Sequence, residues 1–500
     1  MSRLDNDFGL LGDAARAAMG RSHGLHVDGR AVETGRSYAL TDPTSGAEFA
    51  RAAEAGPAEV DAAVDAARRA LAGAWGRLRP HERERRMLRL ADLLEAHERE
   101  MSEIETLCSG RLLGNTAGVD VQYSAHVLRY MAGWATKLEG QTMRLSVPYI
   151  PDGDLRGYTF REPVGVVGAI VPWNVALGIA VWKIAPALAA GCTIVLKPAP
   201  QTPLSALRFA ELALEAGIPE GVINIVTGSG AEVGELLVAH PGVAMVSFTG
   251  STEVGRKIAG QAAAQFKKYS LELGGKSPVI VMEDADVDQV AQAAAWAIFG
   301  NHGQNCCAGS RLYVHRSIHD AVIEGVAAVA RSIELSAPLQ DGAVMGPVVS
   351  HAQQRRILSY VEGGLADGAR LVTGGAAPDH PGAYVQPTVL DGARPGMAAV
   401  RDEIFGPVLM AAAFDTEQEV LALANQSRFG LGASVFTRDT DRIRRMTDGL
   451  EAGSVWINVH NALDVALPFG GWKDSGVGND LGEAAVLGHT RLKASVQYHA

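Results

Sequence analysis

Short apolar runs of strand length alternate with stretches of helical period along most of the chain. GVVGAIV (Gly165–Val171), TIVLKP (Thr193–Pro198), VINIVTG (Val222–Gly228), AMVSFTG (Ala244–Gly250), SPVIVM (Ser277–Met282) and SVWINV (Ser454–Val459) are such runs. Enough chain lies between them for crossover helices, which parallel strands require. Strands covered on both faces read as continuous apolar runs rather than as alternating ones. The pattern therefore predicts an α/β chain with mostly parallel sheets. Upstream, Val60, Ala63, Val64, Ala67, Ala70 and Leu71 fall at helical spacing behind Pro57, and residues 82–106 read as one charged amphipathic helix. The 57 glycines are in excess of the ordinary share, which suits many tight strand–helix turns.

At roughly 150 residues per domain, 500 residues allow about three domains. A net charge of −11 on that length argues against a nucleic-acid or anionic-membrane surface. Four cysteines cannot form a disulfide framework, so a reducing, cytoplasmic setting is expected. The first residues lack the apolar core of a signal peptide. The long apolar region Gly165–Leu196 is interrupted by Pro172, Asn174, Lys183 and Pro186, which a single spanning helix tolerates poorly. Its better parse is a strand Val164–Ile170, a loop, a helix Gly178–Ala189, a turn at Gly191 and a strand Thr193–Lys197.

Two turns suit phosphate. FTGSTEVG (Phe248–Gly255) and TGSGAEVG (Thr227–Gly234) each follow a strand-like run and open a helix. Gly250 and Gly230 let the backbone come close, and Ser251 with Thr252 can cap a helix whose N-terminus attracts anions. Either turn alone is equally an ordinary strand–helix turn. GQNCCAGSR (Gly303–Arg311) holds Cys306 and Cys307, whose adjacency does not suit zinc, and no metal is expected. They read as small buried hydrophobes or as a nucleophile with its neighbour. Glu272, between two leucines, is a solvent-facing strand residue or a buried base. Asn174 is a turn residue or an oxyanion donor.

Taken in order, PWN with Asn174, LKP with Lys197, FTGSTEVG, LELGGK with Glu272, GQNCCAGSR with Cys306, EIFGPV (Glu403–Val408) and PFGGWKDSGVG (Pro468–Gly478) strongly resemble the NAD(P)-dependent aldehyde dehydrogenase superfamily. The resemblance runs from about Leu25 to about Val496 and points to its hydrolytic branch. It implies that Cys306 is the nucleophile, Asn174 and the Cys306 N–H the oxyanion donors, and Glu272 the base for thioester hydrolysis. It puts Lys197, Gly230, Gly250, Ser251, Leu273, Glu403, Phe405 and Trp173 on the cofactor, and Val175, Gly178, Trp182, Asn305, Cys307, Leu467 and Phe469 around the substrate. Pro200 stands where many NAD-preferring members carry a Glu, so NAD is the expected cofactor while NADP is left open.

Several positions depart from the family pattern. Val175 and Ala176 follow PWN in place of Phe and Pro, and Gly178 and Gly300 are small, which implies a roomy tunnel. EAAVLGHTRLK near the C-terminus also differs from the common pattern. The stretch His460–Gly471 resembles members acting on phenylacetaldehyde and other bulky aromatic or terpenoid aldehydes. Short aliphatic or betaine aldehydes are the alternatives, followed by a CoA-acylating enzyme or a non-catalytic protein on the same fold. The expected architecture is a Rossmann-like cofactor domain (1–139 and 161–272), an α/β catalytic domain (273–474) and a small β oligomerisation arm (140–160 and 475–500). The resemblance also implies a homodimer or homotetramer.

Overall fold

The computed structural model describes residues 3–150 and 154–499. Positions 151–153 of the expected arm, with residues 1, 2 and 500, lie outside the described residues.

All six apolar runs form strands. Among the described residues, the first sheet has eight strands and is built around Lys268–Glu272, Met245–Thr249, Val166–Ile170, Thr193–Lys197 and Ile223–Ile225, in that spatial order and all parallel. Alternate side chains serve opposite faces. Val167, Ala169, Ile194 and Leu196 enter one core with the helices Ala176–Ala190 and Leu204–Glu215. Val166, Ile170 and Val195 enter another with Pro57–Ala72 and Thr252–Ala264. Helices on both faces explain why these strands are apolar throughout. The helix Ala176–Ala190 ends on Gly191 at φ 90°, a left-handed position that suits glycine.

The second sheet contains Thr388–Asp391, Val408–Phe414, Arg311–His315, Pro278–Val281, Gly432–Phe436 and Ser454–Ile457 in parallel register. Arg370–Thr373 is antiparallel at one edge. A third, three-stranded sheet pairs Thr490–His499 with Asp154–Pro163, and that strand with Thr142–Leu145.

Three sequence expectations change in detail. Residues 82–106 form two helices, Pro80–Ala96 and Glu98–Ser109, because His97 leaves helical geometry at φ −102°, ψ 19°. After this break every residue from Met101 to Ser109 is buried, so the second helix runs through the core rather than over it. Gly476–Val477 pairs with Lys268–Glu272 in the first sheet, and Gly482–Gly488 packs on Ala176–Ala190. The C-terminal part of the third sheet therefore begins at Thr490 and its central strand runs to Pro163. Thr252 is not a cap: its hydroxyl donates to the Asp474 carbonyl, while Ser251 accepts from the Val254 N–H.

Candidate active site

In the first sheet the strand order reverses between Val166–Ile170 and Met245–Thr249. Loops diverge at such a switch point, and a crevice opens beyond the carboxyl ends of the strands. The crevice is present here. Pro172, Trp173, Asn174, Thr249, Gly250 and Ser251 line one side, and Cys306, Gln353, Arg356, Glu403 and Phe405 line the other. Leu273, Gly274 and Ile179 complete the lining.

The loop that carries Cys306 follows the helix Val287–Phe299. Cys306 is half-buried, and its thiol lies 3.8 Å from Asn305 Oδ1. Contact with Cys307, together with burial, pushes its pKa well up. The Cys307 thiol is buried and donates to Asn461 Oδ1 at 2.8 Å. Gly275 carries no side chain where a Cβ would lie 2.2 Å from the Cys306 carbonyl oxygen, which fixes the approach of the two loops.

Asn174 is buried, and its side-chain amide donates to the Gln304 carbonyl at 3.0 Å. One N–H is thereby occupied and the other is available to the cleft. Glu272 ends its strand at 3% exposure, and neither carboxylate oxygen has a hydrogen-bond partner. Burial raises its pKa well above the carboxylate range, and the negative charges of Asp480 and Cys306 add to this while Lys183 opposes it. Lys183 Nζ and Asp480 Oδ2 form a buried ion pair at 2.6 Å. Sequence reasoning missed this pair as part of the site. The signal was present in Lys183, a charged residue inside an otherwise apolar helix; Asp480 gave none.

The cofactor candidates divide into two groups. Ser251 caps the helix Thr252–Ala264, whose N-terminus faces the crevice side of the turn at Gly250. Glu403 lines the cleft with one oxygen held by the Gly275 N–H at 3.1 Å, and burial raises its pKa to about 7. A Cβ at Gly274 would collide with this carboxylate at 2.4 Å. Phe405 packs edge-on against Trp173 with ring centroids 5.3 Å apart. Gln353 and Arg356, also missed from sequence, donate to the backbone carbonyls of Ile404, Phe405 and Glu403 and so hold this loop. Lys197 and Gly230 are outside this lining. Lys197 is buried at the end of Thr193–Lys197, its pKa lowered by burial to about 8, and Gly234 of the Gly230–Gly234 turn approaches its Cδ.

Of the substrate candidates, Cys307 and Phe469 belong to one apolar cluster, against which Val175, Trp182 and Cys306 pack. Trp182 and Phe469 meet edge-on at 5.6 Å. Gly178 sits against Val175 Cγ1, and Asn305 contacts both thiols. Leu467 is 63% exposed and does not join them in this chain. His302 accepts the Gly346 N–H through Nε2 at 3.0 Å, and burial lowers its pKa to about 3, so it acts as a neutral support for that loop.

Comparison with known proteins agrees with this geometry. Residues 31–495 match the model of the aldehyde dehydrogenase family. Phenylacetaldehyde dehydrogenase of Pseudomonas fluorescens is 49% identical over 479 residues, with 95% of each chain covered. The NAD+ complex of an aldehyde dehydrogenase from Bacillus cereus has a TM-score of 0.95 at 41% identity, covering 97% of this chain and 99% of that one. An indole-3-acetaldehyde dehydrogenase mutant from P. syringae, solved with NAD+, has a TM-score of 0.92 at 39% identity, covering 95% and 97%. The chain belongs to the aldehyde dehydrogenase family and is an α/β oxidoreductase acting on aldehydes.

Proposed function

We propose that the protein oxidises a bulky aromatic aldehyde such as phenylacetaldehyde to the carboxylic acid, with NAD as acceptor. The observation that carries the reading is the convergence of Cys306 and Asn174 on one crevice, with the unpartnered Glu272 carboxylate beside them. The apolar Trp182–Phe469 pair and the likeness to a phenylacetaldehyde dehydrogenase support the aromatic substrate class.

The residues present fit a dinucleotide. Glu403 suits ribose hydroxyls, the Ser251 helix N-terminus suits the pyrophosphate, and Trp173 with Phe405 offers ring faces and edges beside the thiol. Lys197 would serve the adenosine ribose. When bound, the nicotinamide supplies a hydride acceptor. Cys306 gives up its thiol proton to solvent water as its Sγ attacks the aldehyde carbon, and the free Asn174 N–H with the Cys306 backbone N–H stabilises the oxyanion. Loss of hydride from that carbon leaves a thioester on Cys306. Glu272 then takes a proton from water as it attacks the thioester, and the acid departs as the thiol is restored. A buried carboxylate with raised pKa is a strong base for this step, and the Lys183–Asp480 pair beside it sets the local charge.

The exposed edge strand Thr490–His499 supports a homodimer or homotetramer. Leu492, Val496 and Tyr498 stand exposed on it, a pattern that invites pairing with a second copy. The four free cysteines suit a reducing compartment, and no helix among the described residues is long and apolar enough to cross a membrane.

Three outcomes are expected. Cys306→Ala abolishes NAD reduction by phenylacetaldehyde, followed at the absorbance of the reduced cofactor, while NAD still quenches tryptophan fluorescence; full turnover in the variant would end the reading. Turnover rises with pH as Glu272 loses its proton, since the carboxylate form is the base. Glu272→Gln flattens this limb of the kcat profile and lowers turnover by on the order of 10²–10⁴, whereas an unchanged profile assigns the base elsewhere. Leu492→Arg combined with Val496→Arg lowers the mass measured by light scattering to that of the monomer; a native protein that is already monomeric contradicts the arm assignment.

A further inference from the structure

Asn301 and His302, just before the nucleophile, are both left-handed, at φ 50° and 58°. Asparagine occupies that region more readily than most residues. The Asn301 amide is fully used. Its Nδ2 donates to the Asn174 carbonyl at 3.1 Å and to the Gln304 carbonyl at 2.9 Å. Its Oδ1 accepts from Arg111 Nε at 2.7 Å. The Gln304 carbonyl is also the acceptor of the Asn174 side-chain amide. Asn301 therefore grips Asn174 at both ends: directly at its main chain, and through a shared acceptor at its side chain.

The orientation of this amide is not free. Arg111 is 2% exposed, and its guanidinium is ion-paired with Asp120, which has no exposure. A buried guanidinium cannot leave its partner without exposing an uncompensated charge. Its Nε is a permanent donor, so Asn301 must present the oxygen to it and the nitrogen to the two carbonyls. The flipped amide would set N–H against N–H on one side and oxygen against two carbonyls on the other.

We infer that Asn301, held by Arg111, is a positioning residue that aims the Asn174 amide at the oxyanion. It joins the loop after Val166–Ile170 in the first sheet to the nucleophile loop before Arg311–His315 in the second. The oxyanion donor and the nucleophile come from different sheets, and their relative placement must hold to a fraction of an ångström for the donor to favour the transition state. Three hydrogen bonds on one half-buried amide supply that placement. Asn301 does not touch the substrate.

The inference rests on the aldehyde oxidation proposed above, and a double-mutant cycle separates the two. The single-turnover rate of NAD reduction by phenylacetaldehyde is measured for the native enzyme, Asn301→Asp, Asn174→Ala and the double variant. Asn301→Asp keeps the left-handed tolerance and the Arg111 contact but loses both N–H donors. Its rate falls about a hundredfold, the loss expected when one oxyanion donor is misdirected. NAD affinity by fluorescence quenching stays within about twofold, since no binding contact is removed. In the Asn174→Ala background the same substitution changes the rate by less than about threefold, because its target is gone. A repeated full loss in that background, or no loss in the native background, overturns the inference. If Asn301→Asp does not fold, Asn301→Gly, which suits the same φ, carries the same cycle. A native enzyme that does not oxidise the aldehyde contradicts the proposed reaction instead.

Discussion

A carboxylate buried without a hydrogen-bond partner is the constraint around which this site is arranged. Burying such a group costs several kcal/mol, roughly, unless a charge compensates or a proton neutralises it. Glu272 meets the cost in both ways. Lys183 lies near enough to favour the charged form, while burial, Asp480 and Cys306 hold the pKa up. Strand register puts it there: Glu272 pairs with Thr249 on one side and with Gly476 on the other, at the end of the sheet that opens into the crevice. The same sheet end presents Asn174 and the Ser251 turn, so the proposed base, oxyanion donor and dinucleotide cradle share one architectural cause.

The second sheet contributes what the first cannot. Its loops carry Cys306 and Glu403, and both arrive under backbone strain. Asn301, His302 and Gly303 are consecutive left-handed residues, and Phe405 is left-handed at φ 60°. A non-glycine residue in that region costs about 1–3 kcal/mol and persists only where its surroundings enforce it. Here the enforcing contacts are visible: Arg111 and two carbonyls on Asn301, the Gly346 N–H on His302, and Gln353 on the Phe405 carbonyl. Gly303 passes so close to Gly406 that a Cβ would lie 2.1 Å from its carbonyl oxygen, which ties the two strained loops together.

Much of this was legible in the sequence, and the exceptions have physical reasons. The parallel sheets followed from continuous apolar runs, because strands buried on both faces need such runs. Cys306, Glu272 and Asn174 followed from motifs whose order and spacing were distinctive. Lys183 was visible as an anomaly, but its partner Asp480 lies 297 positions away and only the tertiary structure pairs them. Gln353, Arg356 and Arg111 act on backbone carbonyls or on another side chain, and such roles leave no local pattern. The break at His97 was hidden because the apolar spacing continues through it: Leu94 and Met101 keep nearly the same face, while the backbone turns between them.

In the proposed reaction the aldehyde carbon is held covalently on Cys306 and on no other thiol. Acid quench of the native enzyme within one turnover of phenylacetaldehyde and NAD, followed by peptide mass spectrometry, tests it directly. An added phenylacetyl mass is expected on Cys306, with Cys108, Cys192 and Cys307 unmodified. Acylation of Cys307 instead, or turnover with no acylated cysteine at any quench time, would contradict it.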